Sequence, residues 1–122
     1  MIIHVIGARG SGRTTLATTL ADKLNAVFLC SGYGEEWREK TISTAKYAKV
    51  FEELGEIVIV DIKPPTREAR EIFDKPDITI WLNTVEELGE FEIHDEYDYC
   101  FDSNFEDPEA KANLIIEENS LL

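Results

Sequence analysis

Residues 1–20 read MIIHVIGARGSGRTTLATTL, and the fold turns on how this stretch is parsed. The apolar run IIHVI (2–6) has the length and β-branched content of a strand. After it, Leu16, Leu20 and Leu24 are spaced i, i+4 and i+8, with Ala17 and Ala21 beside them, which is the pattern of a helix. Between the two, GARGSGRT (7–14) matches G-x-x-x-x-G-K-[ST] at every defined position except one, where Arg13 stands in place of lysine. Glycines at 7, 10 and 12 let the backbone turn sharply with its N–H groups inward, an anion nest at a helix N-terminus. The predicted nucleotide-binding stretch is therefore Gly7, Ala8, Arg9, Gly10, Ser11, Gly12, Arg13, Thr14 and Thr15, with Thr14 where a magnesium-binding hydroxyl belongs.

Two other readings fit parts of the loop. A glycine-rich turn could merely join strand to helix, but it would not need Thr14 in register. A dinucleotide-binding turn would need a glycine near Thr15 and an acidic residue closing the second strand, and that strand ends in Cys30 and Ser31. Arg13 keeps the positive charge of the missing lysine, yet a planar guanidinium is not equivalent to an ammonium on a flexible stem. Binding is expected to survive this exchange better than fast transfer, which depends on charge placed at the reacting phosphoryl group.

Further along the chain, short apolar runs alternate with helical patterns, the rhythm of β-α units around a parallel sheet. Four more strands are predicted: AVFLC (26–30), IVIVDI (57–62), ITIWL (78–82) and YDYCF (97–101). Between Glu35 and Leu54, Trp37, Ala45, Tyr47, Ala48, Val50, Phe51 and Leu54 form a broad apolar face, and Gly55 supplies a stop. PPTREAREIF predicts a shorter helix from near Thr66. The last helix opens with Asp107 as N-cap and Pro108 at N1, then presents Ala110, Leu114 and Ile115. Asp61 closes the third strand in the position of a magnesium-organising carboxylate, although a carboxylate capping a strand end would look the same.

With 122 residues and 43% hydrophobic content, the expectation is a single domain over 1–122. No apolar run approaches bilayer length and no basic segment precedes the first one, so a soluble, cytoplasmic protein without membrane contact is expected. Cys30 and Cys100 lack metal-ligand spacing and are expected as buried free thiols. A net charge of −13 argues against binding nucleic acid by phosphate neutralisation. The charge is unevenly placed: residues 1–75 carry 11 basic and 11 acidic side chains, residues 76–122 carry 14 acidic ones and only Lys111. Phosphate handling must therefore be built mainly from the first part.

The chain resembles a P-loop kinase, and more particularly an adenylylsulfate (APS) kinase. The resemblance rests on GARGSGRTTLATTLADKLN, on GYGEEWREKTISTAKYAKVFEELGEIVIVDIKPPTREAREIF, and on ITIWLNTVEE, while EYDYCFDSNFEDPEAKANLII resembles the ending of nucleotide kinases broadly. It implies a three-layer α/β/α sandwich with a five-stranded parallel sheet in the order 2-3-1-4-5. In that order strands 3 and 1 are neighbours, roughly 5 Å apart; Asp61 then lies beside Thr14, and Cys30 and Cys100 lie on opposite edges. It further implies ATP and Mg²⁺ as cofactors, Arg13 and Asp61 as catalytic groups, Thr14 and Asp61 as metal ligands, and transfer of the γ-phosphate to a small hydroxyl acceptor such as adenylylsulfate. Arg38, Arg67 and Arg70 align with arginines of the family pattern and would face an anionic acceptor; solvated helix charge is their other reading, since Glu39, Glu68 and Glu71 adjoin them.

Three departures bear on activity. Arg13 replaces lysine. CSGYG stands where the family has an Asp-Gly-Asp segment. The lid between strands four and five is reduced to NTVEELGEFEIHDE (83–96), with six acidic residues and no Lys or Arg. A lid normally excludes water and brings positive charge to the transferring group. Two readings thus stay open: a kinase-like enzyme, or a degenerate nucleotide-binding or interaction module in which a homodimer or protein partner covers residues 83–96. His4 and His94 have no partner suggesting catalysis, and Trp37 and Trp81 read first as packing residues.

Overall fold

The computed structural model describes residues 1–7, 10–30, 35–61, 71–72, 76–84, 97–102 and 107–122, with the side chain of Trp37 outside that description. Within them the elements run β1 (Ile2–Gly7), α1 (Arg13–Leu24), β2 (Val27–Leu29), α2 (Trp37–Glu53), β3 (Val58–Val60), β4 (Ile78–Leu82), β5 (Tyr99–Phe101) and α3 (Pro108–Glu118). The helix predicted from Thr66 lies, but for Glu71 and Ile72, outside the described residues.

All five strands are parallel and lie in the predicted order, β2-β3-β1-β4-β5. The central strand is β1, and each of its six residues is buried. It pairs Ile2, Ile3 and His4 with Val58, Ile59 and Val60 of β3, and Ile3 to Gly7 with Ile78 to Leu82 of β4. The edge strands β2 and β5 are only three residues long, shorter than the apolar runs that predict them. The internal strand β3 is three residues long as well, against a predicted run over 57–62.

Alternation along the strands divides the core between two faces. On one, Ile3, Val5, Ile59, Ile78, Ile80 and Leu82 pack with Leu16, Ala17, Leu20 and Ala21 of α1 and with Ala112, Ile115 and Ile116 of α3. On the other, Ile2, Val58 and Val60 pack with Ala48 of α2. The result is the expected α/β/α arrangement.

Helix ends follow local chemistry. Asp107 caps α3, its carboxylate accepting from the Glu109 N–H at 3.0 Å, with Pro108 in the first turn. At the end of α2, Gly55 adopts φ 87°, the Glu56 N–H reaches the Phe51 carbonyl at 3.1 Å, and the Gly55 N–H reaches that of Glu52 at 2.9 Å.

Two expectations are corrected. The buried line of α2 runs through Thr41, Thr44 and Ala48, whereas Tyr47, Val50 and Leu54 are exposed; small side chains let the helix approach the sheet, and a hydroxyl that bonds its own helix is tolerated there, as Thr44 does to the Lys40 carbonyl at 2.7 Å. Neither cysteine is buried: Cys30 is exposed just beyond edge strand β2, and Cys100 on the opposite edge is half-buried. Both are free. Among the described residues, no helix is long and apolar enough to cross a membrane.

Candidate phosphate-binding site

The site lies where β1 ends and α1 begins. Gly10 and Gly12 take φ values of 82° and 89°, the left-handed region that side chains rarely enter. Gly12 is also the N-cap of α1, so no side chain caps the helix, and its first turn contains no acidic residue. The amide end of α1, with its partial positive charge, thus has neither a side-chain cap nor an acidic residue of its own first turn at the carboxyl edge of the sheet. Ala8 and Arg9 lie outside the described residues.

Close packing fixes the floor of the loop. A Cβ on Gly7 would fall 2.5 Å from Ser11 Oγ and 3.1 Å from the Leu82 carbonyl oxygen, so glycine is required there by approach rather than by φ. Ser11 is 2% exposed, and its hydroxyl has no hydrogen-bond partner. Its carbonyl accepts from Thr84 Oγ1 at 2.8 Å, tying the loop to the exit of β4. The sequence reading missed Thr84; the only signal for it is a hydroxyl just past a central strand.

Asp61 follows β3 and is 3% exposed. Because β3 adjoins β1, its carboxylate meets the first turn of α1: Thr14 Oγ1 donates to Oδ2 at 2.6 Å, and Arg13 Nε donates to Oδ1 at 2.5 Å. Arg13 also donates through Nη1 to the Gly7 carbonyl at 3.0 Å. The guanidinium is thus wedged between the ends of β1 and β3, joined to a buried carboxylate by a charge-assisted bond. Sequence reasoning anticipated the Thr14–Asp61 proximity but not the Arg13–Asp61 pair.

These contacts decide how well the residues suit a magnesium ion. Mg²⁺ demands near-octahedral oxygen ligands and usually takes one or two carboxylates with several waters. Thr14 Oγ1, donating its proton to Asp61, retains lone pairs for such an ion. Asp61 suits it poorly: the carboxylate is buried, and the charge that would attract the metal is neutralised by Arg13. Among the described residues, no group of three His, Cys, Asp or Glu side chains could hold a metal.

Of the three arginines predicted to face an acceptor, Arg38 is exposed in the first turn of α2, and Arg67 and Arg70 lie outside the described residues. Thr15 is exposed in the first turn of α1. Trp81 is buried and packs with Tyr97 at a ring-centroid distance of 5.5 Å, and His4 is buried within β1. His94 and the lid beyond Thr84, up to residue 96, lie outside the described residues.

No protein-family model matches the sequence, and no curated protein matches it. Solved structures do. The APS kinase of Mycobacterium tuberculosis in complex with AMPPNP and APS superposes with a TM-score of 0.80 at 14% identity, covering 98% of this chain and 96% of that one. The shikimate kinase of Aquifex aeolicus superposes with a TM-score of 0.60 at 20% identity, covering 99% of both chains. The shikimate kinase of Acinetobacter baumannii, in complex with shikimate, gives 0.59 at 16%, covering 98% and 92%. The fold is that of the P-loop kinases. Its likeness to APS kinase, suspected from the motifs, holds at the level of architecture, and Gly7 and residues 10–15 lie at the junction of β1 and α1.

Proposed function

We propose that this P-loop kinase-like chain binds ATP in the cytoplasm, the loop from Gly7 to Thr15 cradling the phosphates, and that it is a binder before it is a catalyst. The observation that carries this reading is the uncapped N-terminus of α1, which stands behind left-handed Gly10 and Gly12 with no acidic residue in its first turn. Binding by backbone amides predicts dependence on the polyphosphate rather than on the base. In calorimetric titrations ATP and ADP should bind, with AMP weaker by about tenfold or more. Gly12→Val, which forces a branched side chain into φ 89°, should abolish the heat while leaving the circular dichroism spectrum native. A folded wild-type sample that takes up no ATP at millimolar concentration would overturn the reading.

A second reading, phosphoryl transfer to a small anionic hydroxyl acceptor, is favoured by the superposition on an APS kinase solved with AMPPNP and APS. Adenylylsulfate is the first acceptor to test, using γ-labelled ATP. The closed Asp61 supports slow transfer at most, so product should appear orders of magnitude below the rates of about 1–100 s⁻¹ usual for kinases. Absence of labelled product with intact ATP binding would leave the binder reading alone.

A further inference from the structure

The charge arrangement at Asp61 differs from what a metal-dependent phosphate loop needs, and the difference concerns the need for a metal ion. We propose that Arg13 takes the place of the divalent cation at Asp61, so that the loop binds the polyphosphate of a nucleotide without requiring a metal ion. This deepens the nucleotide-binding reading above and rests on it.

Three observations converge. Both oxygens of Asp61 are engaged, Oδ1 by Arg13 Nε at 2.5 Å and Oδ2 by Thr14 Oγ1 at 2.6 Å, and the residue is only 3% exposed. A magnesium ion at that carboxylate meets a charge already compensated by a guanidinium, and displacing Arg13 from its buried partner would leave one of the two charges uncompensated. Second, the guanidinium is anchored twice, by Asp61 and by the Gly7 carbonyl at 3.0 Å, which places its charge on the floor of the loop. Third, donors for an anion remain after these bonds are made. Arg13 uses Nε and Nη1 and keeps its Nη2 edge, and the first turn of α1 has neither a side-chain cap nor an acidic residue. Attraction for phosphate is thus present without a metal, while the metal's counter-charge is spent on Arg13.

The test is a calorimetric titration of the full chain with ATP, once in EDTA and once in excess Mg²⁺. The expected dissociation constants agree within about threefold. Tightening by about tenfold or more in Mg²⁺ would overturn the proposal, because it would mean that Arg13 leaves Asp61 and the carboxylate opens to the metal. Heat in neither condition would instead sink the nucleotide reading and this inference with it, so the two failures are distinct. A second measurement needs no nucleotide: free Mn²⁺ followed by electron paramagnetic resonance as protein is added. Wild type should leave the Mn²⁺ signal unchanged, Arg13→Gln should deplete it, and adding Asp61→Asn to that variant should restore it. An Arg13→Gln protein that folds but leaves Mn²⁺ free would overturn the stand-in role. Should that variant not fold, Arg13→Lys serves, since an ammonium lacks the planar fork that spans Asp61 and Gly7. It should show a Mg²⁺ preference of about tenfold in ATP binding; a lysine variant indifferent to Mg²⁺ would count against the guanidinium as the cause.

Discussion

Two strands of the same sheet end in an aspartate at the same edge, and the molecule treats the two carboxylates in opposite ways. Asp61, after β3, is 3% exposed and is held by the guanidinium of Arg13 and the hydroxyl of Thr14. Asp102, after β5, is exposed, and among the described residues it accepts from neutral groups, the Cys100 thiol at 3.3 Å and the Asn83 amide at 3.5 Å. Burial makes the difference. A carboxylate beside the central strand loses its water and must have a cation, whereas one on the edge keeps its water and needs none. The same contrast explains how the acidic second part of the chain carries charge at exposed positions such as Asp102.

The largest effect that could break this contrast is on stability. Asp61→Asn leaves the Arg13 guanidinium without its counter-charge and should cost about 2–4 kcal/mol of unfolding free energy in urea melts, toward the lower side because Arg13 retains some exposure. Asp102→Asn should cost within about 0.5 kcal/mol. Equal losses would mean that burial does not separate the two sites. Adding Arg13→Met to Asp61→Asn should restore much of the loss, since a neutral pair leaves no charge stranded.

Next in size is Thr14→Val. It deletes the 2.6 Å bond to Asp61 Oδ2 while keeping the side chain's shape, and a hydrogen bond to a charged group predicts a loss of about 1–2 kcal/mol. A neutral result would place Asp61 under the control of Arg13 alone.

How much of this was readable in advance depends on the range of the interaction. The strand, loop and helix at 2–24 are spelled locally by glycine spacing and by leucines four apart, and Asp107-Pro108 announces the start of α3; these features needed no tertiary context. The strand order came from resemblance, and with it the nearness of Thr14 to Asp61. The face that α2 turns to the sheet was legible only in part: Ala45, Ala48 and Phe51 of the predicted stripe pack there, and Tyr47, Val50 and Leu54 do not. Hydrophobicity favours Tyr47 and Val50, but close approach favours Thr41, Thr44 and Ala48. The seat of Arg13 was not legible, because a long side chain beside a glycine loop has several anchors in reach and only the assembled β1–β3 junction selects one.

Cysteine chemistry sharpens the contrast at the edges of the sheet. Burial, aided by the bond to the Asp102 carboxylate and by its negative charge, pushes the Cys100 thiol up to about 11, while Cys30 is exposed. Thiolate is the reactive form, so at pH 8 a thiol reagent should modify Cys30 at least about tenfold faster than Cys100, read by mass spectrometry of the two peptides. Asp102→Asn should narrow the gap by speeding Cys100. The sign for stability follows: the unfolded chain gives up this proton first, so the contribution is full below the ordinary thiol value and is lost as pH rises toward about 11. Equal labelling rates would remove Asp102 from any role at that thiol.

The smallest expected effect concerns the acid that closes α3. Tyr99 donates its hydroxyl proton to Glu118 at 2.5 Å and accepts from the Asn119 amide at 3.0 Å, joining β5 to the end of α3 at the surface. Like Asp102, Glu118 is held by a neutral donor, so little should be lost when that donor goes: Tyr99→Phe should lower stability by about 0.5 kcal/mol at neutral pH. Burial and the Glu118 carboxylate raise the phenol above its ordinary value of 10.0. The unfolded phenol therefore ionises first, and wild type should lose stability above pH 10 while the phenylalanine variant loses less. Urea midpoints of both proteins, at neutral pH and above pH 10, should converge. A gap that widened with pH would mean that the ionised phenol is better accommodated in the folded chain than beside water, and that the acidic edge carries a cation that Lys111, stacked 5.5 Å over Phe101, is the residue placed to provide.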